Sequence, residues 1–212
     1  MAAILPPRPA AAAECGLSGP PPTARLTEKR GSVRFSNGFS SNQLASKQQR
    51  AGGAASPGPE WHPVGLMSRD LKWEFRVKVR GERRSVGYCV GLDHVDMTVG
   101  YGRINVYVDR RYRPGSCQYD VIREHENQHV LNFQHTLAAY MPELRQRLAA
   151  EAQAAAPVAA GGMNSGARYF VNLLRDRLTP VIQRMQAEMN AADRRLDTPD
   201  SYRATQARCE NW

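Results

Sequence analysis

The stretch Arg123-Glu-His-Glu-Asn-Gln-His-Val-Leu-Asn-Phe-Gln-His135 contains the pattern His-Glu-x-x-His, formed by His125, Glu126 and His129. On an α-helix, residues four positions apart lie one turn apart on the same face, so both imidazoles can point at one zinc ion. Glu126 is displaced from that face, which makes it a poor ligand but leaves it long enough to reach a metal-bound water as general base. The stretch therefore predicts a helix that carries two zinc ligands and a base.

The sequence before this stretch supports a strand followed by a helix start. Residues 104–108 read Ile-Asn-Val-Tyr-Val, a short run with the alternation of a strand. Ser116 stands where an N-cap would open the helix, because serine side chains accept hydrogen bonds from the first free backbone N–H groups.

Alternation of apolar and charged residues predicts the sheet. Residues 71–80 read Leu-Lys-Trp-Glu-Phe-Arg-Val-Lys-Val-Arg, the period of a strand with one buried and one solvated face. Gly81 and Glu82 are expected to turn the chain, and residues 85–90, 94–99 and 104–108 are further strand candidates, separated by glycines. Such short spacings predict a small antiparallel meander.

Apolar residues after the His-Glu-x-x-His stretch recur at steps of three and four, which predicts helices. Leu144 and Leu148 fall on one face of the first, and a longer stripe runs from Phe170 to Leu196. The predicted fold class is α+β, in which a small antiparallel sheet packs against the His-Glu-x-x-His helix and the C-terminal helices.

The first third of the chain predicts little order. Residues 1–13 are apolar and end in an alanine run before Glu14, which resembles the cleavage end of an export signal. Residues 14–62 are rich in Pro, Gly, Ser, Ala, Gln and Arg, so we expect them to be mostly disordered. The predicted organisation is an export-signal-like, disordered segment over 1–63 and one domain over 64–212. No apolar run is long enough for a membrane-spanning helix.

Four widely separated cysteines and a basic net charge bear on compartment and partners. The export features favour two disulfides, for which we expect Cys89 with Cys117 and Cys15 with Cys209; four reduced cysteines in a cytosolic protein are the alternative. The net charge of +9 is spread among interleaved acids. It does not favour nucleic acid as a partner, but it is compatible with adsorption to an anionic envelope surface.

A catalytic zinc site needs a third protein ligand. His135 completes His-Glu-x-x-His-x-x-Asn-x-x-His, which resembles the metzincin motif with Asn132 in place of its glycine. The resemblance makes His135 the expected third ligand. Acidic alternatives are Glu151 and Glu188, which lie in apolar helical stripes, and Asp197.

Residues 64–212 as a whole resemble a group of bacterial secreted or periplasmic zinc peptidases of the zincin type. The resemblance is carried by the stretch from Gly115 to His129 and by the closing Leu196-Asp-Thr-Pro-Asp-Ser-Tyr202 with Cys209 and Trp212. It implies a zincin-like fold and export to the periplasm or the medium.

These observations lead to two functional hypotheses. In the first, the protein is a zinc-dependent peptidase with one zinc ion, a peptide or protein substrate, and Glu126 as general base. In the second, it is a catalytically silent, envelope-associated binding protein that retains the fold. An open metal site with three protein ligands favours the enzyme, whereas a closed site with four favours the silent protein.

Overall fold

The computed structural model describes residues 15–50 and 62–212, so the signal-like run over residues 1–13 lies outside the described residues. These residues form a mixed α+β fold, as predicted. Its elements, in chain order, are β1 (Thr23–Lys29), β2 (Ser32–Phe39), α1 (Ser41–Arg50), β3 (Gly65–Arg83), β4 (Tyr88–Asp109), α2 (Cys117–Ala154), β5 (Val158–Ala160), α3 (Met163–Leu196) and α4 (Pro199–Gln206).

The long strand β4 is the centre of the sheet. β3 pairs with it antiparallel along almost its whole length, and β5, β1 and β2 share its other edge in succession. Because β1 and β2 run parallel to β4, the sheet is mixed, and the predicted antiparallel meander is wrong. The predicted strands over 94–99 and 104–108, and the last three residues of the one over 85–90, belong to one strand of 22 residues.

Glycine explains why the sequence suggested breaks inside β4. Gly100 has φ +139° and lies so close to the backbone of Lys29 that a side chain there would overlap with it. A glycine inside a strand can mark a close approach of another backbone rather than an end of the strand. Gly100 thus allows the end of β1 to pack against β4.

The alternation over residues 71–80 is confirmed in β3. Trp73, Phe75 and Val77 pack against the core while the residues between them are exposed to solvent. The predicted turn at Gly81 and Glu82 is wrong, because the strand continues to Arg83. The chain reverses at Gly87, which has φ +73° and accepts a hydrogen bond from the backbone N–H of Arg84 at 3.0 Å.

Residues 23–50 are ordered, which corrects the prediction of disorder for this part of the chain. Ala24, Leu26 and Val33 pack against the main core, and Leu44 of α1 is fully buried. The strands obtain their backbone hydrogen bonds from β4, about 70 residues further along the chain. The predicted domain boundary between residues 63 and 64 therefore separates strands that belong to the same sheet.

Two long helices cover one face of the sheet. α2 begins at the predicted cap, where the Ser116 hydroxyl accepts a hydrogen bond from the backbone N–H of Tyr119 at 3.2 Å. α2 and α3 contain Pro142 and Pro180, respectively, without ending there. Their apolar stripes form the core with β4. None of the described helices is both long and apolar enough to cross a membrane.

The four cysteines form two disulfides, as predicted, but the predicted partners are wrong. Cys15 is bonded to Cys89, and Cys117 is bonded to Cys209. β1 enters the sheet beside His94, and this brings Cys15 to the start of β4. The second bond links the start of α2 to the segment that follows α4.

We expect peptide mapping without reduction to find these two linkages. Arginines separate all four cysteines, so trypsin releases each in its own peptide. The Cys209 peptide should be recovered joined to the Cys117 peptide and not to the Cys15 peptide. A linked pair containing Cys89 and Cys117 would contradict the structure.

Candidate metal centre

His125 and His129 lie one turn apart on the same face of α2, as their spacing predicts. Their ring centroids are 5.2 Å apart, and the side chains are only 10% and 6% exposed. Continuous helix from Cys117 onwards fixes this arrangement, because side chains at i and i+4 lie one above the other.

Asp197 brings a third donor atom to the two histidines. It lies immediately after the end of α3, and its Oδ1 is 3.3 Å from Nε2 of His125 and 3.2 Å from Nε2 of His129. The three side chains form a group whose donor atoms all lie within 4.8 Å of one another, and this group could hold a metal ion.

The structure does not bring His135 to this group. α2 continues through Asn132 without interruption, and no non-glycine residue in the described ranges has a positive φ. The turn that would swing His135 back, as in the metzincin motif, is therefore not formed. On a continuous helix, the step of six positions from His129 to His135 places His135 about 120° away around the axis. His135 is exposed there, and Asp197 stands where the sequence predicted His135.

The other acidic alternatives have partners elsewhere. Glu151 pairs with Arg147 at 2.7 Å and lies 3.9 Å from Arg177. Glu188 accepts a hydrogen bond from the Tyr140 hydroxyl at 2.9 Å. Neither glutamate belongs to the group formed by the two histidines and Asp197.

Two further side chains position the donors, and sequence reasoning did not identify either of them. Asp193 Oδ1 lies 2.9 Å from Nδ1 of His129, and the Tyr202 hydroxyl donates a hydrogen bond of 2.8 Å to Asp197 Oδ1. A carboxylate on the second ring nitrogen is the usual support of a metal-binding histidine. In the sequence, the spacing of four residues between Asp193 and Asp197 near the end of a helix is the signal that could have identified Asp193.

The charges of the group are strongly coupled. Burial alone lowers the pKa of His129, but the hydrogen bonds to Asp193 and Asp197 outweigh it and raise the pKa to about 10. Burial raises the pKa of Asp197, but hydrogen bonds from His125 and His129 hold it well below its usual value. The protonated His129 imidazole and the ionised Asp197 carboxylate therefore stabilise each other's charged forms.

Glu126 lies beside the group formed by His125, His129 and Asp197 but is not part of it. It is 7% exposed, and burial raises the pKa of its carboxyl to about 7, although the positive charges of His129 and His125 oppose this shift. A Cβ added at Gly65 would overlap with Oε1 of Glu126 and lie 2.7 Å from Ile122 Cγ2. Only glycine lets β3 begin this close to the carboxylate.

A cavity of about 120 Å³ opens onto Glu126 and His125. Val64 and Gly65 line one side of it, and Tyr202 and Trp212 line another. Trp212 is held by a hydrogen bond of 2.5 Å from its indole N–H to the Gln206 carbonyl oxygen, and its ring contacts Tyr112 edge-on. The C-terminal segment thus forms a wall of the cavity.

The donor set could hold a divalent metal ion. Two imidazole nitrogens and one carboxylate oxygen are a set found in hydrolytic zinc sites, which keep one coordination position open. Ligands bound about 2.0–2.1 Å from a tetrahedral zinc lie about 3.3 Å apart. The Asp197 oxygen already lies at such distances from both Nε2 atoms. The residues therefore fit one divalent metal ion.

No protein-family model matches this chain, and comparisons with curated proteins and with solved structures found no significant similarity.

Proposed function

We propose that the protein is a zinc-dependent peptidase that uses one zinc ion. The observation that carries the proposal is the convergence of His125 Nε2, His129 Nε2 and Asp197 Oδ1 next to Glu126 at the cavity. Three protein ligands with an open position are typical of catalytic zinc, whereas structural zinc sites have four. This donor set favours the enzyme over a silent binding protein.

A zinc ion held by these three residues would lower the pKa of a water molecule and polarise the carbonyl of the scissile bond. The Glu126 carboxylate would take the proton from the attacking water and deliver it to the leaving amine. Its buried position at the cavity, beside His125, suits this task, because a general base has to lie within reach of the water that it deprotonates.

β3 offers a place for an extended substrate. Among the described strands it pairs only with β4, and an edge strand of this kind is where an extended peptide would bind by strand addition. Its first residue, Gly65, lines the cavity next to Glu126. A peptide added along this edge would reach the candidate centre with its backbone extended.

The two disulfides support a periplasmic or secreted location. Disulfides persist in oxidising compartments and are rare in the cytosol. An exported peptidase would act on peptides or proteins outside the cytoplasm.

Metal analysis combined with a hydrolysis assay tests the proposed function. We expect the purified protein to carry about one zinc ion per chain and to cleave an unstructured protein such as casein. A chelator should abolish cleavage and added zinc should restore it. His125→Ala should contain no zinc, because it removes a ligand.

His94→Ala is the matched control for the loss of a histidine. His94 lies on β4, where it contacts Thr23 and Asp96 away from the candidate centre, so its removal should leave the zinc content unchanged. A wild-type protein without metal would overturn the proposal. A wild-type protein that binds zinc and cleaves nothing would favour the silent binding protein.

A further inference from the structure

Arg69 is a charged residue of β3 that points into the helical layer. It stands opposite the buried Ile104 of β4, and its side chain is only 17% exposed. The pairing with β4 is irregular between Arg69 and Leu71, and such bulges often redirect a side chain. Burial of a guanidinium is costly unless it has partners, so its contacts indicate what it does.

The guanidinium of Arg69 lies between an aromatic ring and two polar residues of α3. Its central carbon is 3.3 Å from the centroid of the Phe133 ring, and Nη2 donates a hydrogen bond of 3.2 Å to Asn190 Oδ1. Nη2 is also 3.8 Å from Asp193 Oδ2. Nη1 is buried and has no hydrogen-bond partner among the described residues, so the guanidinium gives up part of its hydration to make these contacts.

Asp193 uses its two oxygens for different neighbours. Oδ2 faces Arg69, while Oδ1 lies 2.9 Å from Nδ1 of His129. The other nitrogen of that ring, Nε2, is the one that faces Asp197 in the candidate metal centre. The orientation of the His129 ring therefore depends on a carboxylate that Arg69 contacts from the opposite side.

We propose that Arg69 is a positioning residue of the metal centre, which acts by holding Asp193 against His129. This inference rests on the proposed zinc site. Phe133 and Asn190 fix the guanidinium, and the fixed guanidinium limits the rotation of the Asp193 carboxylate. Arg69 thereby connects β3, the strand that begins beside Glu126, to a metal ligand on α2. Loss of such an outer partner typically weakens metal binding about 10- to 100-fold.

The test is a double-mutant cycle read as zinc affinity, measured by competition with a chromophoric chelator on the full chain. Arg69→Met keeps the apolar stem over Phe133 and removes the charge, and Asp193→Asn removes the carboxylate. We expect each to weaken zinc binding about 10- to 100-fold. The double variant should bind zinc no more weakly than the single variant that has the lower zinc affinity, because both changes break the same connection.

Arg80→Met is the matched control. Arg80 is also on β3, and its Nε and Nη1 are likewise buried with no hydrogen-bond partner in the part of the chain that the structure describes. Its ion-pair partner is Asp93, which is not part of the centre. Its replacement should leave zinc affinity unchanged. The thermal unfolding of each metal-free variant shows whether it is folded.

If Arg69→Met does not fold, a second double-mutant cycle with Arg69→Lys tests whether Arg69 acts through Asp193. A lysine keeps the charge but cannot contact Asn190 and Asp193 with one planar group. It should weaken zinc binding when Asp193 is present and have no further effect in Asp193→Asn. Unchanged affinity in a folded Arg69 variant, or losses that add in the double variant, would overturn the role of Arg69. Absence of zinc from the wild type would instead refute the proposed function itself.

Discussion

Replacing Glu126 by glutamine should lower the hydrolysis of an unstructured protein by about 10²- to 10⁴-fold while the zinc content stays the same. Glutamine has nearly the same shape as glutamate but cannot accept the proton of the attacking water. Glu126 is not one of the three grouped donors, so the metal should remain. The amide oxygen can still accept the backbone hydrogen bond that Met67 makes with the carboxylate, so the fold should persist.

Glu124→Gln is the control for this prediction. Glu124 lies two residues earlier on α2, is 66% exposed, and pairs with Arg208 at 2.7 Å. Its replacement should leave both hydrolysis and zinc content unchanged. If the wild type cleaves the substrate and Glu126→Gln cleaves it equally well, Glu126 is not the base and the mechanism has to be abandoned.

Replacing Asp197 by alanine should weaken zinc binding by more than the roughly 10- to 100-fold loss typical of an outer partner. The change removes the only carboxylate oxygen of the group and leaves His125 and His129 without a third donor. His135→Ala should bind zinc like the wild type, because this side chain is exposed on another face of α2. Competition titration with a chromophoric chelator measures all of these affinities.

Asp200→Ala is the matched control among the acids. Asp200 lies three residues beyond Asp197 at the start of α4, is largely exposed, and pairs with Arg203. Its loss should not change zinc affinity. A large loss in His135→Ala together with a small one in Asp197→Ala would reverse the assignment of the third ligand.

The helix and its two histidines could be predicted from sequence because they depend on short-range geometry. A spacing of four places His125 and His129 on one face of any α-helix, and Ser116 caps that helix through a contact three residues away. The alternation of β3 is equally local, since it follows from the two faces of a single strand.

Local composition misled the prediction for residues 23–50. Few of their side chains are apolar, but their strands gain order by hydrogen bonding to β4. Pairing between distant segments depends on whether another strand of the fold has a free edge, and the composition of a short window does not report this. Local composition does not report the disulfide partners of the cysteines either, because these partners depend on where β1 and α4 pack in the fold.

The sequence by itself determined the two histidines, the adjacent glutamate and the helix that aligns them. Only the tertiary structure decided the third donor, because Asp197 is 68 residues beyond His129 and reaches it through the packing of α3 on α2. Asp193 contacts His129, and Arg69 contacts Asp193, for the same reason, since each approaches from another element. A helix fixes the distances between residues that are neighbours along the chain. A metal site whose donors come from several elements is formed only when those elements pack together.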